Sequence, residues 1–302
     1  MSTSADCLII GGGPAGLTAA VYLARFRRRV VLIDGGWSRA EWITLSHNIA
    51  GFPDGIAGPE YRDRLRRQAH LYGCEPEKGY VHTLQWRDEG GFLARTEDRT
   101  ISAKTVILAT GVVENKPPLP HLADAVKKGL IRTCPICDGY ESMGKRIAVL
   151  GNGPHAAAEA LFIRTYSSKL ALLLVGDVVL PVSIHEALVR AGIEILHIGA
   201  GAIEMQEFGV AAFCAADGQS HSFDVVYTAF GTTSQTKLAK SLGARMDDAG
   251  RLFVSEHQET STRGLYAVGD LVRGLNQISV AKGEAAIAAT AVHNALPMVP
   301  AL

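Results

Sequence analysis

Residues 6–34 read DCLIIGGGPAGLTAAVYLARFRRRVVLID. Cys7 to Ile10 form a short apolar run that fits a buried strand. The turn Gly11-Gly12-Gly13-Pro14-Ala15-Gly16 follows, then an Ala-rich helical stretch to about Phe26 and a second apolar strand, Val30 to Ile33, closed by Asp34. A strand, a glycine turn, a helix and a second strand ending in an acid make the β-α-β unit that binds a dinucleotide. Gly11 permits the tight turn, Gly13 lets backbone approach a pyrophosphate, and Gly16 keeps the third position small so that helix packs on strand. Pro14 and Ala15 open the helix, whose free N–H groups and dipole favour the negative charge of a phosphate. Asp34 stands at the spacing from which a carboxylate accepts hydrogen bonds from a ribose diol.

The same pattern recurs in residues 146–177, RIAVLGNGPHAAAEALFIRTYSSKLALLLVGD. Arg146 to Leu150 is the expected strand, Gly151, Gly153 and Ala156 occupy the three turn positions, and a helix is expected over Ala157 to Tyr166. Leu170 to Val175 is the following strand, with Asp177 just past it. Asp177 reads either as a second ribose acceptor or as a polar turn residue. Two such units in one chain predict an α/β protein with two doubly wound, three-layer domains.

The chain has 302 residues, a length suited to two domains. Thirty Lys and Arg balance thirty Asp and Glu. A zero formal net charge leaves no global field for a phosphate backbone, so nucleic acid is not an expected partner. The apolar strip Leu170 to Leu180 is broken by Gly176 and Asp177, which is too short for a bilayer span of about 20 residues, and no membrane association is expected. Six residues precede the first apolar run, so no secretory leader is expected and the cytoplasm is the expected compartment.

Five cysteines stand at 7, 74, 134, 137 and 214. An odd, thinly spread set is not a secreted disulfide framework. Cys134-Pro135-Ile136-Cys137-Asp138-Gly139 lies between the two glycine turns. A zinc site would need two further ligands at compatible spacing, and no second Cys pair or Cys/His cluster is present, so no metal is expected. Two structural thiols remain an alternative to a redox pair. At a helix start one sulfur of a C-x-x-C pair gains a lowered pKa and can cycle between dithiol and disulfide. Asp138 is placed to carry a proton to or from a leaving thiolate. Further on, Gly264-Leu265-Tyr266-Ala267-Val268-Gly269-Asp270 reads as a strand ending in Gly-Asp, before Asn276, Gln277, Ile278 and an Ala-rich helix to about His293.

Taken together, Gly11 to Gly16, Thr105 to Gly111 (TVILATG), Cys134 to Gly139, Gly151 to Ala156 and Gly264 to Asp270 resemble the low-molecular-weight thioredoxin reductases in order and spacing, over essentially the whole chain. The resemblance implies an FAD domain from residues 1–115 and 247–302, with an NAD(P)H-type domain, 116–246, inserted in it and carrying the cysteine pair. It implies Cys137 facing the flavin, Cys134 attacking the substrate disulfide, and Asp138 as acid/base. Gly11, Gly13, Pro14, Ala15, Gly16, Asp34, Asn48, Thr110, Gly111, Gly269, Asp270, Gln277 and Ile278 would contact FAD. Gly151, Gly153, Ala156 and Asp177 would contact NADH or NADPH. A homodimer is implied, as are hinges near Glu114 to Pro120 and Gly243 to Gly250.

Three departures from that pattern stand out. The Arg cluster that binds a 2′-phosphate after the second strand of the inserted domain is replaced by Val175-Gly176-Asp177, where a carboxylate repels phosphate. The flavin-side Gly-Gly-Gln-Leu loop is replaced by a stretch with Trp37 and Trp42 ahead of His47-Asn48, which reads as surface packing or as an altered pocket. Asn276-Gln277 stands where the family has Arg-Gln, so a cation is missing there. These features resemble the NADPH-independent dithiol oxidases of that family, which close a disulfide in a small molecule and pass electrons through FAD to oxygen. A small-molecule dithiol and a thioredoxin-like protein therefore stand as the candidate partners. An NAD(P)H-dependent thioredoxin reductase is the alternative enzyme, and a non-catalytic flavin redox sensor is the alternative outside catalysis.

Overall fold

The computed structural model describes residues 3–117, 119, 121–199, 201–214 and 218–300. The chain opens with β1 (Thr3–Ile10), α1 (Pro14–Arg25) and β2 (Val30–Asp34), then a 3-10 turn at Arg39–Trp42 and α2 (Gly58–Leu71). Four strands follow: β3 (Glu77–Lys78), β4 (Thr83–Trp86), β5 (Phe92–Arg95) and β6 (Thr100–Leu108). After β7 (Val112–Glu114) come α3 (Leu122–Lys127), β8 (Ile131–Arg132), α4 (Pro135–Asp138) and a 3-10 turn at Tyr140–Ser142. The second β-α-β unit is β9 (Ile147–Gly151), α5 (Pro154–Ile163) and β10 (Leu170–Val175), extended by α6 (Val182–Arg190) and β11 (Glu194–Ile198). A small antiparallel sheet, β12 (Ile203–Met205), β13 (Val210–Cys214) and β14 (Gln219–Phe223), precedes β15 (Val225–Ala229). The chain ends with β16 (Thr232–Ser234), α7 (Lys237–Ser241), β17 (Leu265–Ala267) and α8 (Ile278–Ala295).

Two compact units result: Met1–Ile43, Ile56–Val113 and Thr233–Leu302 form one, and Thr44–Gly55 with Glu114–Thr232 form the other. In the first, the sheet order is β3-β2-β1-β6-β5-β4. β1 pairs in parallel with β2 on one side and β6 on the other, so the strand order reverses beside β1. A ligand crevice opens at the carboxyl ends of the strands at such a point. β6 gives its first half to β5 and its second half to β17. Its core combines β-branched residues of the strands with Phe92, Leu252 and Leu271, all almost wholly buried. In the second unit the order is β11-β10-β9-β15-β8. Continuous apolar runs such as LALLLV in β10 fit strands buried on both faces. Among the described residues no helix is long and apolar enough to cross a membrane.

The division departs from the sequence expectation in three places. The return to the first unit falls at Thr233 and not at residue 247, because Ala239 and Ala244, with Leu238 and Leu242, are packed into the first unit's core. The expected hinge at Gly243 to Gly250 is a tied turn of the first unit, mostly at its surface with Ala244 in the core: Met246 bridges Leu252, and Asp247 accepts from the N–H of Arg251 and binds its guanidinium. Thr44–Gly55 groups with the second unit. For the other hinge the first unit ends at Val113, while Pro118 and Pro120 lie outside the described residues. The second helix begins earlier and ends at Ile163 instead of Tyr166, since Pro154 suits its first position.

Candidate functional site

In the first unit the candidate cofactor residues converge on the carboxyl ends of parallel strands. Gly11 follows β1, Asp34 closes β2, Thr110 and Gly111 follow β6, and Gly269 and Asp270 follow β17. The turn has no room for side chains where it packs and is open where it would hold a ligand. A Cβ on Gly16 would lie 1.9 Å from the carbonyl oxygen of Gly11, and one on Gly12 would lie 2.3 Å from the carboxyl carbon of Asp34. A Cβ on Gly13 would meet only Ser38 Oγ, at 3.5 Å. Gly13 caps α1 without a side-chain hydrogen bond, and the first turn carries no acid. The helix therefore presents free N–H groups to an open cradle, the donor set a pyrophosphate requires. Thr110 Oγ1 donates to the carbonyl of Gln235 at 2.6 Å and Gly111 accepts from the Gln235 N–H, which ties this turn to the returning chain. Gln277 caps α8 and Ile278 begins it.

Two arginines that sequence reasoning passed over organise these acids. Arg62 of α2 is buried; its guanidinium donates to the carbonyl of Gly12 at 3.0 Å, to Glu41 at 2.7 Å and to Asp34. Asp34 also accepts from the N–H of Gly36 at 2.9 Å. Arg39 donates through Nη1 to Asp270 Oδ2 at 3.1 Å. A Cβ on Gly269 would lie 3.2 Å from that of Ala15, so the Arg39–Asp270 pair stands beside the start of α1. Glu284 of α8 accepts from the N–H of Gly269 at 2.6 Å, and burial pushes its carboxyl up from the ordinary range. Trp37 projects into solvent, 86% exposed, while Trp42 is half-buried. Surface packing thus does not describe Trp37.

In the second unit Cys134 and Cys137 are joined by a disulfide with Cα atoms 5.3 Å apart. Cys134 caps the short α4, directly past the carboxyl end of β8. Asp138 is largely enclosed, its side chain 24% exposed. Tyr227 of β15, wholly buried, donates to Asp138 Oδ1 at 2.9 Å, lies 3.1 Å from its carbonyl and 3.0 Å from Ser142 Oγ. Arg132 of β8 bonds the Asp138 carbonyl at 2.9 Å and stands 3.4 Å from Oδ2. Burial raises the Asp138 carboxyl above its ordinary pKa, with Arg132 and Tyr227 pulling the other way and Glu141 adding to the rise. Burial and the Asp138 charge push the Tyr227 hydroxyl up. Tyr227 could have been noticed as the one aromatic hydroxyl in the buried strand VVYTA. Arg132 carried no signal beyond its nearness to Cys134. Asn48, expected at the cofactor, is grouped with the second unit, where its amide donates to the carbonyl of Ile136 at 3.2 Å and neighbouring His47 pairs with Glu141 at 3.1 Å.

The second glycine turn is built like the first. A Cβ on Gly151 would lie 2.4 Å from that of Ala156, Gly153 faces open space, and α5 starts without a side-chain cap. His155, beside it, pairs with Glu159 at 3.1 Å, a hydrogen bond that raises the imidazole pKa. Asp177 is exposed past the carboxyl end of β10, in apolar company: Val179 and Val182 are both largely exposed. Cys7, Cys74 and Cys214 are free and buried, and burial pushes the Cys7 and Cys74 thiols up to about 12 and about 11. Thiols held protonated in this way are unreactive. Among the described residues no cluster of His, Cys, Asp and Glu could hold a metal ion.

Residues 5–285 match the pyridine nucleotide-disulphide oxidoreductase family. The thioredoxin reductase of Mycolicibacterium smegmatis is 30% identical over 285 residues, covering 90% of this chain and 91% of that one. NADPH-dependent thioredoxin reductase 3 of Arabidopsis thaliana is 34% identical over 180 residues, which cover 57% of this chain and 34% of that longer protein. The crystal structure of thioredoxin reductase from Streptococcus pyogenes MGAS5005 superposes with a TM-score of 0.87 at 26% identity, over 97% of this chain and 98% of that one. An open, uncapped pyrophosphate cradle, a C-x-x-C disulfide and these similarities agree, and the chain belongs to the pyridine nucleotide-disulphide oxidoreductase family, among the low-molecular-weight thioredoxin reductases, as an FAD-dependent oxidoreductase acting on sulfur groups.

Proposed function

We propose that this enzyme oxidises a small-molecule dithiol, passing electrons from the Cys134/Cys137 pair to FAD and on to oxygen, and that it uses NADPH poorly. The observation that carries this reading is the charge at the adenosine end of the second nucleotide fold, where exposed Asp177 stands among Val179 and Val182. Ile136, Tyr140 and Met143, exposed around the disulfide, offer apolar surface to a small substrate. Gly11, Gly13, Pro14, Ala15, Gly16, Asp34, Asn48, Thr110, Gly111, Gly269, Asp270, Gln277 and Ile278 would hold the cofactor, with Arg39 and Arg62. Bound FAD supplies a two-electron acceptor that oxygen can recharge.

In this reading a substrate thiolate attacks Cys134 Sγ, the Cys134–Cys137 bond breaks, and Cys137 leaves as a thiolate. The second substrate thiol then displaces Cys134 and closes the product disulfide. Substrate loses two electrons and two protons, and the cysteine pair becomes a dithiol. Asp138 holds and returns the proton that the leaving sulfur exchanges. One observation favours the alternative, an NAD(P)H-dependent reductase of thioredoxin or a thioredoxin-like protein: the intact, uncapped turn from Gly151 to Ala156.

Anaerobic mixing with dithiothreitol tests the proposal. The flavin absorbance should bleach and return in air, and Cys134→Ser and Cys137→Ser should each abolish the cycle. A flavin that stays oxidised under dithiol, or a cycle indifferent to both substitutions, removes the reading.

A further inference from the structure

The disulfide unit contains a buried polar cluster that the sulfur chemistry itself does not require. Tyr227 is wholly enclosed in β15, yet its hydroxyl touches Asp138 Oδ1, the Asp138 carbonyl and Ser142 Oγ within 3.1 Å. A buried hydroxyl left unpaired costs about 1–3 kcal/mol, so a phenol in this strand is favoured only with its partners in place. The second carboxyl oxygen, Oδ2, has Arg132 at 3.4 Å, while that guanidinium anchors on the Asp138 carbonyl at 2.9 Å. The two oxygens of one carboxyl are therefore distinguished: Oδ1 receives a firm hydrogen bond, and Oδ2 keeps a longer contact.

We propose that Tyr227 is a positioning residue for the disulfide reaction, its hydroxyl holding Asp138 Oδ1 so that Oδ2, with Arg132 beside it, is the oxygen that exchanges the proton with the leaving sulfur. The proposal rests on the reading of Asp138 as the proton carrier. The phenol donates one hydrogen bond to Oδ1 and Ser142 can donate in turn to the phenol oxygen, which fixes the hydroxyl rotor. When Oδ2 gives up its proton, the Tyr227 hydrogen bond and the Arg132 charge both favour the carboxylate that remains. Other groups also face Asp138. Glu141, beside it on the next turn, opposes its ionisation, and His47 pairs with that Glu141. Tyr166 packs against Gly139: a Cβ there would lie 2.5 Å from its ring. None of these bonds Oδ1.

Tyr227→Phe keeps the ring and deletes the donor. In the holoenzyme the two readouts are the pH profile of dithiol turnover and, in a Cys134→Ser background, the pH dependence of the long-wavelength absorbance band that a lone Cys137 thiolate should give by donating into the oxidised flavin. Loss of a hydrogen bond to a charged group should move the Asp138-controlled limb upward by about one pH unit, with the melting temperature followed alongside. Asp138→Asn should erase that limb. If Tyr227→Phe superposes on the parent while Asp138→Asn erases the limb, the positioning role is wrong and the Asp138 reading stands. If Asp138→Asn leaves the limb in place, the Asp138 reading fails and the Tyr227 proposal with it. Should Tyr227→Phe lower the folded fraction, Arg132→Gln removes the charge from the other oxygen; an upward shift supports the two-sided clamp, and no shift overturns it.

Discussion

Asp138 holds its proton more tightly in the folded chain than in the unfolded one, because burial outweighs the help of Arg132 and Tyr227. Linkage gives the sign: a carboxyl with a raised folded pKa favours folding while it is protonated, and that contribution is lost as pH rises from its unfolded value through the folded one. An amide of the same shape never ionises. Asp138→Asn should therefore melt at a higher temperature than the parent at pH 8, with the gap closing as the pH falls toward 4, even though turnover is lost. The substitution takes the carboxylate from Arg132 as well, whose 2.9 Å bond to the Asp138 carbonyl involves only the backbone. Thermal denaturation across pH checks it; a gap that widens toward acid refutes the burial argument. The residue is legible in sequence because it follows the cysteine pair, but its clamp is not. Tyr227 lies some ninety positions away in an apolar strand, where only the pairing of β15 with β8 brings it to the site.

Elements decide how the cofactor acids are neutralised. Sequence alone shows two carboxylates, Asp34 and Asp270, directed at a ligand that carries a doubly charged pyrophosphate, and such an arrangement is repulsive unless cations are supplied. The 3-10 turn at Arg39–Trp42 supplies one and α2 the other. Neither arginine is distinguishable beforehand: α2 reads GPEYRDRLRRQAHL, a polar helix whose arginines look like a solvated face, and only folding shows Arg62 buried while Arg64 remains exposed. The glycine turns were legible because their pattern is short-range: Gly11, Gly12, Gly16 and Gly151 are each required by an atom a few residues or one strand away, while a Cβ would fit at Gly13 and Gly153. Arg39→Ala should weaken FAD binding roughly tenfold or more, the scale of one charge-assisted hydrogen bond. Titration of apoprotein with FAD, followed by flavin fluorescence, measures it, and an unchanged dissociation constant would take Arg39 out of the cofactor site. The loss should shrink at high salt, since the partly exposed guanidinium is screened.

At the scale of the molecule, both doubly wound units were legible from period and repeat, whereas their seams were not. Thr44–Gly55 and the segment around α7 have no strong periodicity, so their allegiance is set by packing partners remote in sequence. The topology also bears on the choice of electron donor. Asp177 stands past the carboxyl end of β10, and a 2′-phosphate of NADPH would meet it there. Lys169, the nearest cation in sequence, precedes β10 and so stands at the opposite end of that strand. Arg190 ends α6, which runs back along the sheet, and it is paired with Glu186 at 3.4 Å. Lys169 lines a cavity of about 200 Å³ with Gly192 and Glu194, at the amino ends of the strands. A strand of six residues spans roughly 20 Å, too far for either side chain to reach the phosphate. Two bidentate arginine contacts absent and one carboxylate added should weaken NADPH by several kcal/mol, about a thousandfold, relative to a site with the arginine pair. NADH lacks the phosphate and escapes this penalty. Anaerobic stopped-flow mixing should therefore show the flavin bleached faster by NADH than by NADPH at equal concentration, and Asp177→Arg combined with Val178→Arg should reverse that order. Rapid bleaching of the unmodified enzyme by micromolar NADPH would mean that the phosphate is bound by groups other than these, and would place the protein with the NADPH-dependent reductases.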